Sequence, residues 1–304
     1  MTSPRRAPLY LAGPTGCGKT AVSLALARLV APVEIVNADA YQIYRGLEIL
    51  SAAPGPEEQA LCPHHLFGTL DPGEENDAAE HARRTHATLA TIPAEALPLV
   101  VGGSGLYLKA ITHGLAPTPK GDPALRAELD AEPLETLVAR YRELDPAGAA
   151  VTNLLNRRYV TRNLEICLLT GRLASELKSA WAESAPQIRA VYLQRDRADL
   201  DARIARRTAM MFDAGVVGEV ERLKDLSPTA AKAIGIREIE ALRRGEIDEA
   251  TCREAIRLAT RQYAKRQENW FRRETAFVPL PLPADEPPDT TAARIVALFS
   301  LDKE

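Results

Sequence analysis

Cysteine is scarce in this 304-residue chain: Cys17, Cys62, Cys167 and Cys252 are all there are, far apart and without a CxxC pair. Such usage excludes a disulfide framework, argues against a thiolate zinc centre and fits a reducing cytoplasm. Long apolar runs are missing too. Nothing approaches the roughly 18 apolar residues of a membrane span, and Met1-Thr2-Ser3-Pro4-Arg5-Arg6 lacks the apolar core of a signal peptide. A cytoplasmic protein with no membrane partner is therefore expected. Neither sign of charge is in excess: 38 basic against 41 acidic residues leave a net charge of −3. Any nucleic-acid binding must come from a local basic patch. With 46% hydrophobic residues the disordered class is excluded, and the length allows one sizeable α/β domain plus a smaller lobe.

Against these absences stands one demanding pattern: Gly13-Pro14-Thr15-Gly16-Cys17-Gly18-Lys19-Thr20, a glycine, four free positions, then glycine, lysine and a hydroxyl. It follows an apolar run, residues 8–12, fit for a buried strand, and precedes residues 21–30, which have helical spacing. Glycines let successive backbone N–H groups curl around an anion, while the helix directs its positive dipole end at the same point. Lys19 adds a mobile charge, and the Thr20 hydroxyl suits a Mg²⁺ ion that bridges phosphates.

A second strand over 33–39 ends in Asp39. Ligands of open α/β sheets sit beyond the carboxyl ends of the strands, so Asp39 and the loop are expected to open into one crevice, with a turn-capping role for Asp39 as the alternative. Ala40-Tyr41-Gln42-Ile43-Tyr44-Arg45-Gly46-Leu47 carries aromatic, amide and guanidinium groups of the kind that stack on a base and read its edge. Cys62-Pro63-His64-His65-Leu66 makes a poor metal site, because adjacent histidines point different ways and no further close-spaced ligand supports them. A helix is expected over 77–92, then a buried strand over 97–101 that ends in Gly102-Gly103-Ser104-Gly105. An ATPase places an acidic metal holder at the end of such a strand, and its absence argues against ATP hydrolysis.

From about 116 to 185 the pattern changes to helices broken by Pro117, Pro119, Pro123, Pro133 and Pro146, which reads as an inserted lobe. Its Arg126, Arg157, Arg158 and Arg162 are either solvated or phosphate-facing. The chain returns to the sheet at 190–193, and a helix over 200–223 puts Arg203 and Arg207 on one face, where both can address an anion. The last long helix, 248–273, carries an apolar stripe of Ile256, Ala259, Tyr263 and Trp270. Arg253, Arg257, Arg261 and Lys265 form a basic stripe whose mutual repulsion suggests a polyanion partner. Residues 277–280 read as an edge strand before a Pro-rich, acidic tail.

In this order, the phosphate loop, Asn37-Ala38-Asp39-Ala40-Tyr41-Gln42, Pro63-His64-His65-Leu66, Gly102-Gly103-Ser104-Gly105-Leu106-Tyr107 and Ala264-Lys265-Arg266-Gln267-Glu268-Asn269-Trp270-Phe271-Arg272 resemble the tRNA isopentenyltransferase (tRNA dimethylallyltransferase) family. The resemblance spans roughly residues 8 to 275. It implies transfer of a dimethylallyl group from dimethylallyl diphosphate to N6 of the adenosine 3′ of the anticodon, with Mg²⁺ and release of diphosphate. By the same resemblance Gly13 to Thr20 and Arg203 hold the diphosphate, Arg207 offsets its growing charge, and Asp39 accepts the amine proton. Ser104, where the family has threonine, bonds the adenosine or adjusts the diphosphate. Ala40, Tyr41 and Gln42 face the bases, while Arg126, Arg158, Arg162, Lys232, Arg237, Arg257, Arg261 and Lys265 hold the anticodon stem-loop. Departures from the family pattern fall at Ala40, Ala53, Tyr159 and Ile236.

The expectation is thus a P-loop NTPase-like α/β fold, with a mostly parallel sheet flanked by helices and an inserted helical lobe. The catalytic core takes residues 1–115 and 186–285, the tRNA-binding lobe 116–185 and the tail 286–304, in a monomer. Rival readings are a P-loop kinase, a prenyltransferase acting on a free adenine nucleotide, and a non-catalytic RNA-binding switch.

Overall fold

The computed structural model describes residues 5–116, 118–182 and 187–301. The amino-terminal residues 1–4, the helix-breaking Pro117, the expected lobe boundary between 185 and 186, and the last three residues lie outside them. Six strands alternate with helices: β1 (Leu9–Ala12), β2 (Val33–Asn37), β3 (His64–His65), β4 (Leu97–Gly102), β5 (Arg189–Arg195) and β6 (Val278–Leu282). The helices are α1 (Lys19–Leu29), α2 (Glu48–Ser51), α3 (Pro56–Gln59), α4 (Ala78–Thr91), α5 (Gly105–His113), α6 (Pro123–Ala131), α7 (Leu134–Leu144), α8 (Pro146–Val151), α9 (Arg157–Thr170) and α10 (Ala174–Ala182). After them come α11 (Arg197–Asp213), α12 (Val216–Arg222), α13 (Ile236–Arg243), α14 (Glu249–Phe271) and α15 (Pro288–Phe299). Two compact units result: Met1–Thr112 with Gln187–Glu304, and His113–Pro186.

The first unit holds one sheet in the order β3-β2-β4-β1-β5-β6, every pair parallel. Parallel strands need cover on both faces, and the central strands β1 and β4 are buried along their whole length for that reason. In β1 the side chains alternate. Leu9 and Leu11 join the layer of α1 and α15, while Tyr10 and Ala12 join that of α4, α5, Phe271 and Phe277. A third apolar cluster runs from Ile43, Tyr44, Leu47 and Leu50 to Met211 and Phe212 of α11 and Ile256 of α14. The second unit is helical, and its core is made by Leu129, Leu137, Tyr141, Ala149, Val160 and Leu164.

The structure departs from the sequence-based expectation in three places. The helix expected over 200–223 is two, α11 and α12, because Gly215 takes φ +86° and turns the chain. His64 and His65 form the short edge strand β3, too brief for periodicity to reveal. Residues 286–304, expected as a tail, contain α15, whose Ala292 and Ile295 pack into the layer of α1. Pro288 opens that helix at a position where its missing N–H costs nothing.

Candidate active site

The loop after β1 has glycine where its shape demands it. Gly16 and Gly18 take φ of +84° and +99°, a left-handed region that side chains rarely adopt, and α1 starts immediately after Gly18. No acidic residue occupies the first turn of α1, so its dipole faces the crevice without a competing carboxylate there. Lys19 folds back, its Nζ donating to the carbonyls of Gly13 at 3.0 Å and Pro14 at 3.1 Å. Below the loop, Arg195 donates to the Cys17 carbonyl at 2.8 Å and pairs with Asp199 at 2.9 Å.

β2 delivers Asp39 to the same crevice. The fully buried Asn37 accepts from the Asp39 N–H at 2.8 Å and donates to the Leu66 carbonyl at 2.9 Å. The Asp39 carboxylate accepts from the Tyr41 N–H at 3.0 Å, so it both caps a turn and lines the cavity beside the loop. Behind it, His81 donates from Nε2 to the Asn37 carbonyl at 2.9 Å, and its Nδ1 lies 3.1 Å from the Asn76 amide. Burial lowers the His81 pKa, which favours the neutral ring this arrangement needs. Asn76 and His81 escaped the sequence reading because they lie some 40 residues further on, and only the fold brings them under Asp39.

Arg207 faces Asp39 from α11. Its NH1 donates to Thr15 Oγ1 at 2.7 Å and its NH2 to the Ser51 carbonyl at 3.3 Å. Burial pushes its pKa down, and the Asp39 charge opposes that shift. No carboxylate among the described residues lies within 4.0 Å of it, so a half-buried guanidinium stands ready for an anion. Arg203 lines the same cavity but is held by Asp199, its Nε lying 3.1 Å from both oxygens.

Two cavities meet here. One, of about 330 Å³, is lined by Lys19, Thr20, Phe67, Arg206 and Met210. The other, of about 50 Å³, is lined by Tyr41, Ile234, Ile256, Thr260 and Tyr263. They share Thr15, Asp39, Ser51 and Arg207, which therefore form the wall between them. Ser104, nearly buried before α5, lies 3.0 Å from the Tyr263 hydroxyl, whose pKa burial raises first and the Asp39 charge second. Burial and then Asp39 likewise push the Tyr41 hydroxyl up to about 12.

Other expected site residues have partners within the protein. Gln42 lines the larger cavity and donates its amide to the Ser51 and Ala52 carbonyls, at 3.2 and 2.9 Å. Ala40 is buried. The basic stripe of α14 is not of one sign: Arg253 pairs with Glu249, Arg257 with Glu254, and Arg261 with Asp201 of α11. The inference of four bare cations is thereby corrected, since carboxylates three or four residues away on the helix and one on its neighbour intervene. Lys265 is exposed, and so is Lys232, whose carbonyl accepts from Tyr41 Oη at 3.2 Å. Arg237 is exposed and pairs with Glu238 at 2.9 Å. In the second unit Arg126 and Arg162 share the buried carboxylate of Glu165, at 2.7 and 2.6 Å, while Arg158 is exposed. His65 binds Glu34 at 2.7 Å, and His64 Nδ1 donates to the Cys62 carbonyl at 2.8 Å, so the two rings face different partners.

A strand, a glycine-rich loop and a helix aimed at a cationic cavity define a phosphate-loop protein of the parallel α/β class. The chain matches the IPP transferase family model over residues 42–274 and belongs to that family. It is 44% identical to the tRNA dimethylallyltransferase of Akkermansia muciniphila, over 95% of this chain and 98% of that one. With that of Deinococcus radiodurans it shares 40% identity over 88% of this chain and 91% of the other. The crystal structure of a full-length tRNA isopentenylpyrophosphate transferase from Bacillus halodurans superposes with a TM-score of 0.70 at 27% identity, covering 98% of both chains.

Proposed function

We propose that the protein transfers a dimethylallyl group from dimethylallyl diphosphate to N6 of the adenosine 3′ of the anticodon of a tRNA, and does so as a cytoplasmic monomer. Family membership supports the reaction. The single structural observation that carries the assignment of residues is the wall of Thr15, Asp39, Ser51 and Arg207 between two cavities. The larger has the phosphate loop and Arg207 for a diphosphate, with Phe67 and Met210 as apolar surface for the dimethylallyl group. The smaller opens beside Tyr41 and Tyr263, whose rings suit a base.

In the step so read, the N6 lone pair attacks C1 of the dimethylallyl group as the C1–O bond breaks. The electron pair of that bond leaves with the diphosphate. Loop N–H groups, Lys19 and Arg207 offset the charge it gains. Lys19 must exchange its two loop carbonyls for phosphate oxygens, a short swing of its terminal amine. The adenine amino group is a poor nucleophile because its lone pair is delocalised into the ring, and Asp39 is the carboxylate at the wall that takes its proton as the carbon–nitrogen bond forms.

A Mg²⁺ ion fits the donor set. The Thr20 hydroxyl lines the cavity and makes no hydrogen bond among the described residues, and no cluster of three His, Cys, Asp or Glu exists among them to hold an ion alone. Thr20 together with the phosphates of the ligand would hold it, and it would supply further positive charge to the leaving group. Among the described residues no helix is long and apolar enough to cross a membrane.

The test is to incubate the purified protein with undermodified tRNA, dimethylallyl diphosphate and Mg²⁺, then analyse nucleosides by mass spectrometry. A prenylated adenosine confined to the anticodon loop is expected. ATP turnover without prenylation would support the kinase reading instead.

A further inference from the structure

We propose that Gln267 is a positioning residue for the transfer: it locks the phosphate loop to the Gly103–Ser104 turn and so fixes the leaving diphosphate relative to the acceptor amine. The proposal rests on the functional reading above. Gln267 lies on α14 and is 4% exposed. Its Oε1 accepts from the Thr15 N–H at 2.9 Å, and its Nε2 donates to the Gly103 carbonyl at 2.9 Å. One amide thus satisfies two backbone groups on two different loops, one half-buried and one buried, which neither loop satisfies by itself.

The surroundings are built for this contact. A Cβ on Gly103 would stand 2.5 Å from Gln267 Nε2 and 2.7 Å from the Gly13 carbonyl, so only glycine lets loop, turn and helix come this close. Thr15 is then held at both ends, by Gln267 at its N–H and by Arg207 at its hydroxyl. One helical turn earlier Tyr263 reaches Ser104 at 3.0 Å, so α14 grips the turn twice. The Thr15 N–H is already occupied, and that of Cys17 donates to the Pro14 carbonyl at 3.3 Å, which leaves the N–H groups of Gly16, Gly18 and Lys19 to the diphosphate. Gln267 therefore touches no substrate in this reading. It sets where Thr15 of the phosphate loop and the Gly103–Ser104 turn stand relative to one another.

Such a bridge governs geometry more than affinity, and an error of about 1 Å in a reacting pair costs on the order of 10²-fold in rate. Gln267→Met keeps the side-chain volume and removes both hydrogen bonds. In the full-length protein we expect tRNA binding within about twofold of the parent, a loss in pyrophosphate affinity of about three- to tenfold, and a kcat lower by about 10²-fold. Pyrophosphate with Mg²⁺, titrated calorimetrically, is the binding probe and needs no turnover. Gln267→Glu is the second variant. Its carboxyl can still accept from Thr15, but it donates to Gly103 only when protonated. Its kcat relative to the parent should therefore rise as pH falls from about 8 to about 5.5, while the methionine variant shows no such trend.

A folded Gln267→Met variant with kcat within about threefold of the parent would overturn the proposal. A pH-independent ratio for Gln267→Glu would overturn it too, and this second measurement decides alone if the methionine variant does not fold. If the parent makes no prenylated tRNA, the functional reading fails by itself. Weaker pyrophosphate binding by Gln267→Met would then still support the lock on the loop, and unchanged binding would overturn it.

Discussion

At the scale of single residues, the carboxylate at the end of β2 carries the sharpest expectation. Asp39 caps a turn on Tyr41 and, at the wall between the cavities, is the proposed proton acceptor, and an amide can fulfil only the first of these roles. Asp39→Asn should keep the fold and the binding of pyrophosphate while single-turnover transfer falls by about 10²- to 10⁴-fold. Rates within about threefold of the parent would make Asp39 a turn residue and no more. Asp39 was legible in the sequence because strand ends and phosphate loops share a crevice in such folds. Gln267 and His81 were not, although both stood in plain view. Their meaning depends on partners 252 and 44 residues away, Thr15 and Asn37, and no local periodicity encodes such distances.

Elements were legible where they are long and apolar. The strands at 9–12, 33–37 and 97–102 and the helix of α14 follow from runs and periodicity, whereas β3, two residues long, and the break at Gly215 do not. The Gly102–Gly105 turn needs α14 for its explanation. A Cβ on Gly105 would lie 2.2 Å from the Trp270 ring, and one on Gly102 2.3 Å from the Ala38 carbonyl. Gly105→Ala should therefore destabilise the protein by about 2 kcal/mol, the usual scale of overpacking against a rigid ring, read as a lower melting temperature. An unchanged melting temperature would mean that Trp270 is free to move aside. In the second unit, α9 carries Glu165, fully buried and shared by Arg126 and Arg162. Burial alone would raise its pKa, but hydrogen bonds from both arginines and the Asp122 N–H bring it below the ordinary glutamate value. A lowered folded-state pKa means that the contribution is present above the unfolded value, about 4.3, and is lost as pH falls through the folded one. Glu165→Gln should cost about 2 kcal/mol at pH 7, discounted for the partial exposure of the arginines, and its deficit against the parent should begin to shrink as pH falls below the unfolded value of about 4.3 and vanish only below the lower folded-state value. Denaturant melts of both proteins across that range measure it, and a deficit that persists in acid would contradict the assignment.

At the scale of the whole molecule, a chain of net charge −3 is read as gripping a polyanion, so the grip must be local. The sequence pointed to Arg253, Arg257, Arg261 and Lys265 on spacing alone. It could not reveal that Glu249, Glu254 and Asp201 stand against the first three. Lys265 and its neighbour Arg266 differ. Both are exposed and neither has a carboxylate within 4.0 Å among the described residues. Arg266 also lies over the Tyr263 ring at 5.6 Å, and its charge acts on Tyr41, two residues that line the smaller cavity where the base is proposed to enter. A cation already paired gives up its carboxylate before it meets a phosphate, so it gains less from the counterions that tRNA releases. Removing Lys265 and Arg266 together should flatten the log–log dependence of tRNA affinity on salt by about one to two units, whereas removing Arg257 and Arg261 should flatten it by less than about one. Filter retention across a salt series measures both slopes, with circular dichroism to establish that α14 survives and pyrophosphate titration to establish that the loop does. Equal flattening by the two pairs would return the paired arginines to the interface, and no change in either would remove this helix from it.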